Sequence, residues 1–551
     1  MEQSDSINLT LSYLVDTWND LVKCLSQNSS ELSHHQLNYW QDYLKLQHNF
    51  SLSPDEHIDK RFKYQEWQEN VLFNFIKQSY LLISRHIKTT IADLIKNEDE
   101  AVARKLQFLS QQLIDAMAPT NFANLNPEVL AKITETNGEN LLSGYKNLLE
   151  DMQQGRSLFN IKLTDTNSFK LGDNIGFTPG KVVFQNDVMQ LIQYNAATES
   201  VYQYPLLIIP PWINKYYILD LQPENSLVKW LVDQGITVFM ISWVNASSKQ
   251  RDKQFSDYMH EGPLAALKVM QKITGKKKSN VLGYCIGGTL LSCTLAYLAQ
   301  KNNISINSAT FLTTLLDFSE PGELGTFSDE KQISIIEKMM VEKGYFDGNI
   351  MGAIFNSLRV NDLIWSAFVN QYLKGQKPKP FDLLYWNSDA TNIPEHVHSY
   401  YLRNMYLENN LIQRGKMIFS GMPIDLGLVT TPSYFLAAQD DHIAPWMSCF
   451  KSQQYFAGIK KFVLTTSGHV AGVINPPRAN KYGYWDCDKN ISEADKYLAK
   501  AVFHKGSWWP DWMNWLKQYS GEMRLASELK ASKKIEDAPG SYVRVTLADI
   551  M

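Results

Sequence analysis

From Leu206 onward the chain sets short apolar runs between longer mixed segments. The runs are "LLIIPP", "TVFMISW", "NVLGYC", "SATFLTTLLDF", "SYFLAAQD" and "KFVLTTSG". Several are rich in β-branched residues and carry no polar alternation. That texture predicts buried strands of a parallel sheet covered by helices. "PLAALKVMQKITG", Pro263 to Gly275, reads as a crossover helix framed by an early proline and a closing glycine. Upstream the period changes. "YWQDYLKLQHNF", "WQENVLFNFIKQSYLLISRHIKTTIADLI" and "EDEAVARKLQFLSQQLIDAMAPTNF" place apolar residues every three or four positions, and Pro119 ends the last of these patterns. Residues 1–180 are therefore expected to form a mostly helical N-terminal domain, and 181–551 an α/β catalytic domain. Between Asp317 and Leu426 the strand rhythm stops, in a stretch too long and too aromatic for a loop. A mainly helical cap inserted at about 318–426 is expected there.

Composition changes this picture little. The chain has 551 residues, 44% hydrophobic and 20% charged, with a formal net charge of -4. Nothing in that balance favours nucleic acid. The 5 cysteines are Cys24, Cys285, Cys293, Cys449 and Cys487. They are scattered, and their spacing fits neither a disulfide framework nor a metal site. The first residues are acidic and polar, and no apolar run reaches transmembrane length, so neither a signal peptide nor a transmembrane segment is expected. The expected location is cytoplasmic.

The chemistry gathers around "NVLGYCIGGTLLSCTLAYLAQ". An apolar strand runs into Gly283-Tyr284-Cys285-Ile286-Gly287 and then into a helical pattern, as in a nucleophile elbow with cysteine in place of serine. Strained backbone at the nucleophile requires small residues two positions to either side, which Gly283 and Gly287 provide. The turn sets Cys285 at a helix N-terminus, where the positive end of the helix favours thiolate. The Ile286 N–H is one expected oxyanion donor. The second is expected in the loop "PPWINKYYILDL", from Trp212 or Ile213, because prolines cannot donate; Ile213 is taken as the donor.

An elbow of this kind implies an acid after a later strand and a histidine after the last. "SYFLAAQDDHIAPW" supplies Asp440 and Asp441, and "KFVLTTSGHVAGVINPP" supplies His469. The order Cys285, Asp441, His469 is that of an α/β-hydrolase fold. His469 would take the thiol proton and Asp441 would fix its tautomer. Asp440 is the rival acid. Ser467 and Asn475 flank the histidine. His260, His396, His398, His442 and His504 are expected at surface, packing or substrate-side positions. Cys293 is expected to point into packing.

Taken together, "GYCIGG", "DDHIAPW", "SGHVAGVINPP", "PPWINKYYILDL", "NDLIWSAFVNQYLKG", "PFDLLYWNSDAT" and "GSWWPDW" make the chain resemble the class I polyhydroxyalkanoate synthases, from about Phe62 to Trp512. The resemblance implies an acyltransferase that takes (R)-3-hydroxyacyl-CoA, short-chain 3-hydroxybutyryl-CoA above all. It releases CoA and extends a polyester held as a thioester on Cys285. It implies no cofactor and no metal, since CoA belongs to substrate and product. It also implies a homodimer attached to the polyester granule surface through the N-terminal domain. In that reading Trp365, Tyr385 and Trp386 of the cap exclude water. The residues by themselves leave open a thioesterase, an esterase or a polyester-degrading hydrolase on the same machinery, and a non-catalytic granule-associated protein.

Overall fold

The computed structural model describes residues 15, 17–48, 59–156, 160–487, 491–526 and 534–550. The chain divides into two compact units.

The first unit comprises the described residues up to Asp165 together with Gly352–Phe381. Its principal helices are Ser29–His48, Val71–Leu94, Glu100–Ala116, Pro127–Glu135 and Glu139–Gln153. The three patterns singled out in the sequence fall mainly on helices, broken at Asn70 in the second and ending at Ala116 in the third; Asn49 and Phe50 of the first lie outside the described residues. Local chemistry sets the starts. The Asn70 side chain accepts from the N–H groups of Leu72 and Phe73, and that of Asn126 from those of Glu128 and Val129, ahead of Pro127 in the first turn. Phe62, Trp67, Tyr80, Ile114 and Ala118 form one small core.

Gly352–Phe381 falls inside the stretch expected to be cap, yet it packs in this unit. Val360, Ile364 and Tyr372 share a core with Ile161. The Tyr372 hydroxyl donates to Asp151 at 2.7 Å, and the amide groups of Asn140 and Asn147 donate to the carbonyls of Leu373 and Gln371. Gly144 lies so close to the Tyr372 carbonyl that a Cβ has no room.

The second unit, Thr166–Met351 with Asp382–Met551, is built on an 11-stranded sheet. Its strands are numbered here in chain order: β1 Gly180–Gln185, β2 Met189–Tyr194, β3 Leu206–Ile209, β4 Val238–Trp243, β5 Ser279–Tyr284, β6 Ile306–Leu312, β7 Ser433–Ala438, β8 Lys460–Thr465, β9 Gly483–Asp486, β10 Val502–Lys505 and β11 Glu536–Asp537. Across the sheet the order is β10-β9-β8-β7-β6-β5-β3-β4-β2-β1-β11. The block from β4 to β8 is parallel. The strands at both ends are antiparallel. β3, β4, β5 and β7 are buried along their whole length, as strands covered on both faces must be.

The expected crossover helix runs Ala265–Thr274 and stops at Gly275, whose φ is 68°. A π-helical turn, His260–Leu264, precedes it and accommodates Pro263. What remains in this unit of the interval between β6 and β7 is mainly helical. It includes Glu330–Lys343, Asp382–Ser388 and Glu395–Tyr401, the last continuing as a π-helical turn, Leu402–Leu407. No described helix is long and apolar enough to cross a membrane.

Candidate active site

β5 ends at Tyr284 and the helix Ile286–Gln300 begins two residues later, so Cys285 alone makes the turn. Its backbone sits at φ 52°, ψ -124°, a conformation that β-carbon sterics disfavour. Hydrogen bonds hold it there, among them one from the Thr289 N–H to the Cys285 carbonyl at 3.2 Å. The Cys285 N–H donates to the Leu312 carbonyl at 2.9 Å, and its carbonyl accepts from the N–H of Gly288 at 2.8 Å and from the Thr314 hydroxyl at 3.3 Å. The flanking glycines are required by close approach. A Cβ on Gly283 would run into the backbone of Gly287 and Gly288, one on Gly287 into the carbonyls of Ile209 and Pro210, and one on Gly288 into the Thr314 side chain. Gly288 is thus a third obligatory glycine, which the spacing argument did not require.

Asp441 follows β7 and His469 follows β8. Asp441 is buried while Asp440 is exposed. The Asp441 Oδ2 lies 2.7 Å from His469 Nδ1, and Oδ1 accepts from the N–H groups of Ile443 and Ala444, both at 2.9 Å. The turn in "DDHIAPW" therefore orients the second carboxylate, and Asp440 contributes only its backbone N–H, which donates to Ser467. With Nδ1 engaged, Nε2 is the ring nitrogen left to face the Cys285 thiol. Burial pulls the His469 pKa down, but the charge and hydrogen bonds of Asp441 and Cys285 outweigh it and push it up to about 10. The structure thus brings Cys285, Asp441 and His469 together.

Ile286 is the first residue of its helix, so its N–H is among the donors that a helix leaves without an internal acceptor. The loop carrying Ile213 leaves β3 beside the elbow, where the carbonyls of Ile209 and Pro210 lie against Gly287. Ile213 is half-buried and Trp212 buried, the latter packed on Trp243, Phe255 and Tyr258.

Sequence reasoning passed over several residues that serve the site. Tyr284 stacks on the His469 ring at 5.6 Å and donates its hydroxyl to the His469 carbonyl at 3.3 Å. Trp508 and Trp509 donate their indole N–H groups to the carbonyls of Gly472 and Val473, each at 3.0 Å, and so hold the loop that follows His469. The "GSWWPDW" stretch is thereby a support for the histidine loop. Asn475 is buried, and its amide reaches Gly506 at 3.5 Å.

The aromatic wall also differs from expectation. Tyr385 packs on Phe169 and Tyr217, and Trp386 donates to the Lys215 carbonyl; both brace the loop after β3. Trp365 packs on Phe368 in the other unit. The rings near the thiol are Tyr401 and Tyr406, whose hydroxyls are raised by burial, with Cys285 adding to the shift. Phe318 lies edge-on to both, at 5.9 and 5.1 Å.

Of the other cysteines and histidines, Cys293 and His398 are buried in packing, whereas His396 and His504 are partly exposed. Burial pushes the Cys293 thiol up to about 12 and His398 down to about 3. His260 meets Ser420, His396 meets Gln254, and His504 meets Asp486.

The sheet topology, with a cysteine at the strand-to-helix elbow, defines a protein of the α/β-hydrolase fold. Comparison with known proteins narrows the class. Residues 58–231 match the family model "Poly-beta-hydroxybutyrate polymerase (PhaC) N-terminus", and 204–476 match "alpha/beta hydrolase fold". The chain is 46% identical to the poly(3-hydroxyalkanoate) polymerase subunit PhaC of Rhizobium meliloti, over 88% of this chain and 80% of that protein. It is 43% identical to the poly(3-hydroxyalkanoate) polymerase of Methylorubrum extorquens, over 98% and 90%. With the PhaC subunit of Cupriavidus necator the identity is 41%, over 88% and 83%. The chain belongs to the poly(3-hydroxyalkanoate) polymerase family.

Proposed function

We propose that the chain polymerises (R)-3-hydroxyacyl-CoA, with 3-hydroxybutyryl-CoA as its main substrate, through a thioester on Cys285. His469 takes the Cys285 proton, and the thiolate attacks the acyl-CoA carbonyl. The N–H groups of Ile286 and Ile213 hold the oxyanion. CoA leaves as a thiolate and receives the proton from His469, so that the acyl group is now bound to sulfur. His469 then deprotonates the 3-hydroxyl of another unit, whose oxygen attacks the acyl-enzyme. An ester bond forms and the Cys285 thiolate is released; the chain, one unit longer and ending in that unit's CoA thioester, acylates Cys285 again with loss of the CoA. Asp441 keeps the imidazole in the tautomer that presents Nε2 to sulfur. Tyr401, Tyr406 and Phe318 keep water from competing with the hydroxyl.

The observation that carries this reading is the 2.7 Å contact between Asp441 and His469 beside a cysteine strained at φ 52°, in a chain 46% identical to a polymerase of this family. The helical region 1–180 is assigned to self-association as a homodimer and to attachment at the granule surface. The enzyme then works in the cytoplasm on a growing polyester, with the cap at about 318–426 admitting substrate.

The test follows CoA release and polymer mass together, with (R)-3-hydroxybutyryl-CoA and with Cys285→Ala alongside. Both signals rise in the wild type and vanish in the variant. CoA accompanied only by soluble hydroxyacid makes the chain a thioesterase and refutes the proposal.

A further inference from the structure

The loop from Pro210 to Tyr217 is tied at several points to the strap Trp386–Asn392, and one of these ties meets the Trp212–Ile213 peptide. The Thr391 hydroxyl donates to the Trp212 carbonyl at 3.0 Å, and Thr391 is buried. The carbonyl of Trp212 and the N–H of Ile213 belong to the same planar trans unit, so a hydrogen bond that fixes the one direction fixes the other. Around this contact the strap is anchored repeatedly. Asn214 forms a bridge with Ala390. Lys215, nearly fully buried, pairs with Asp389 at 2.7 Å, and the other Asp389 oxygen accepts from the Tyr217 hydroxyl at 2.8 Å. Trp386 donates its indole N–H to the Lys215 carbonyl at 2.7 Å. On the far side the Asn392 amide donates to Ala246, while its N–H donates to Asn245 at 2.9 Å and its Oδ1 accepts from Gly348.

A buried ion pair is a weak source of stability but a strong determinant of geometry, because a displaced partner leaves a charge without compensation. Here it sets the height of the strap, and the strap sets Thr391. We infer that Thr391 is a positioning residue for acyl transfer: through the Trp212 carbonyl it aims the Ile213 N–H at the developing oxyanion, with Lys215 and Asp389 holding Thr391 in place. The inference rests on the reading of Ile213 as an oxyanion donor. It does not require Thr391 to touch substrate.

Thr391→Val keeps the shape of the side chain and removes the hydroxyl, and Thr391→Ser restores it. A freed peptide plane weakens one oxyanion donor, and losing such a donor outright costs about 100- to 1,000-fold. The expected loss of kcat for CoA release from (R)-3-hydroxybutyryl-CoA is therefore about 10- to 100-fold, with KM within about twofold. Alkylation of Cys285 by iodoacetamide passes through no oxyanion, so its rate should stay within about twofold of wild type. Thr391→Ser should recover most of kcat. An unchanged kcat in Thr391→Val overturns the inference. So does a parallel fall in the alkylation rate, which makes Thr391 a general strut. Ile213→Pro, checked by the same alkylation, separates the two layers. If it keeps full kcat, Ile213 is not a donor and both readings fail. If it loses kcat while Thr391→Val does not, only the positioning role fails.

Discussion

The turn at Cys285 carries a strain that two substitutions can isolate. Its φ of 52° with ψ of -124° is open to glycine and unfavourable for any residue with a β-carbon, by about 1–3 kcal/mol. Cys285→Ala removes the sulfur and keeps the β-carbon, and so keeps the strain. Cys285→Gly removes both. At an ordinary position the alanine variant would be the more stable by about 0.4–1 kcal/mol, because glycine leaves the unfolded chain freer. Here the strain offsets or outweighs that term, and the glycine variant should be the more stable by up to about 2.6 kcal/mol. At an unfolding entropy of about 2.1 cal/mol/K per residue, a unit of this size converts that difference into up to about 3.5 °C. Differential scanning calorimetry of the two inactive variants, at one scan rate, measures it. Equal melting temperatures would limit the strain to about 0.4–1 kcal/mol, and a higher one for Cys285→Ala by that full amount would show that the elbow stores no strain.

Asp441→Asn should lower CoA release by about 100- to 10,000-fold, as expected when the acceptor that fixes a catalytic imidazole is lost. It also tests linkage. The His469 pKa is raised in the folded state to about 10. The stability it contributes is thus fully present below its unfolded value of about 6.5 and is lost as pH rises through the folded one. Melting temperature followed from pH 6 to pH 10 should fall less steeply in Asp441→Asn than in wild type. Gly287→Ala forces a β-carbon against the carbonyls of Ile209 and Pro210 and should cost about 1–3 kcal/mol, with a large loss of activity. Tyr284→Phe removes the hydroxyl that meets the His469 carbonyl and should cost about 0.5–1.5 kcal/mol in stability, measured by chemical denaturation, while leaving most of kcat.

The parallel strands and the three site residues were legible because each leaves a local mark. β3 to β8 are continuous apolar runs, and the elbow needs its glycines within a few positions of Cys285. Asp441 could be preferred over Asp440 because the turn that follows it has a recognisable composition. The antiparallel ends left weaker marks: β2 reads "MQLIQY", in which Gln190 and Gln193 interrupt the apolar run although both are buried. The supports of the site were hidden for a different reason. Thr391 acts on Trp212, Trp508 on Gly472, and Tyr284 on His469, across sequence separations of more than 30 residues. No periodicity reports such pairs. The aromatic rings show the same limit, since "PFDLLYWNSDAT" announced aromatic packing but not what it packs on.

Those supports bear on why a cysteine suits this fold for polymerisation. Thioester exchange from CoA to Cys285 is nearly balanced, so sulfur neither traps the acyl group nor spends its reactivity. The rate of chain growth then depends on which oxygen reaches the acyl carbon. A hydrolase on the same sheet needs water at that point, and a polymerase needs it kept out. The site sets Tyr401 and Tyr406 where Cys285 acts on their hydroxyls, with Phe318 against both rings. Tyr401 and Tyr406 are half-buried, and both rings pack against Phe318 and against each other. Leucine at both Tyr401 and Tyr406 should therefore raise the ratio of free hydroxyacid to polymer while leaving the rate of Cys285 alkylation unchanged. An unaltered ratio would mean that water is excluded by the polyester itself, and that the wall serves only to shape the pocket.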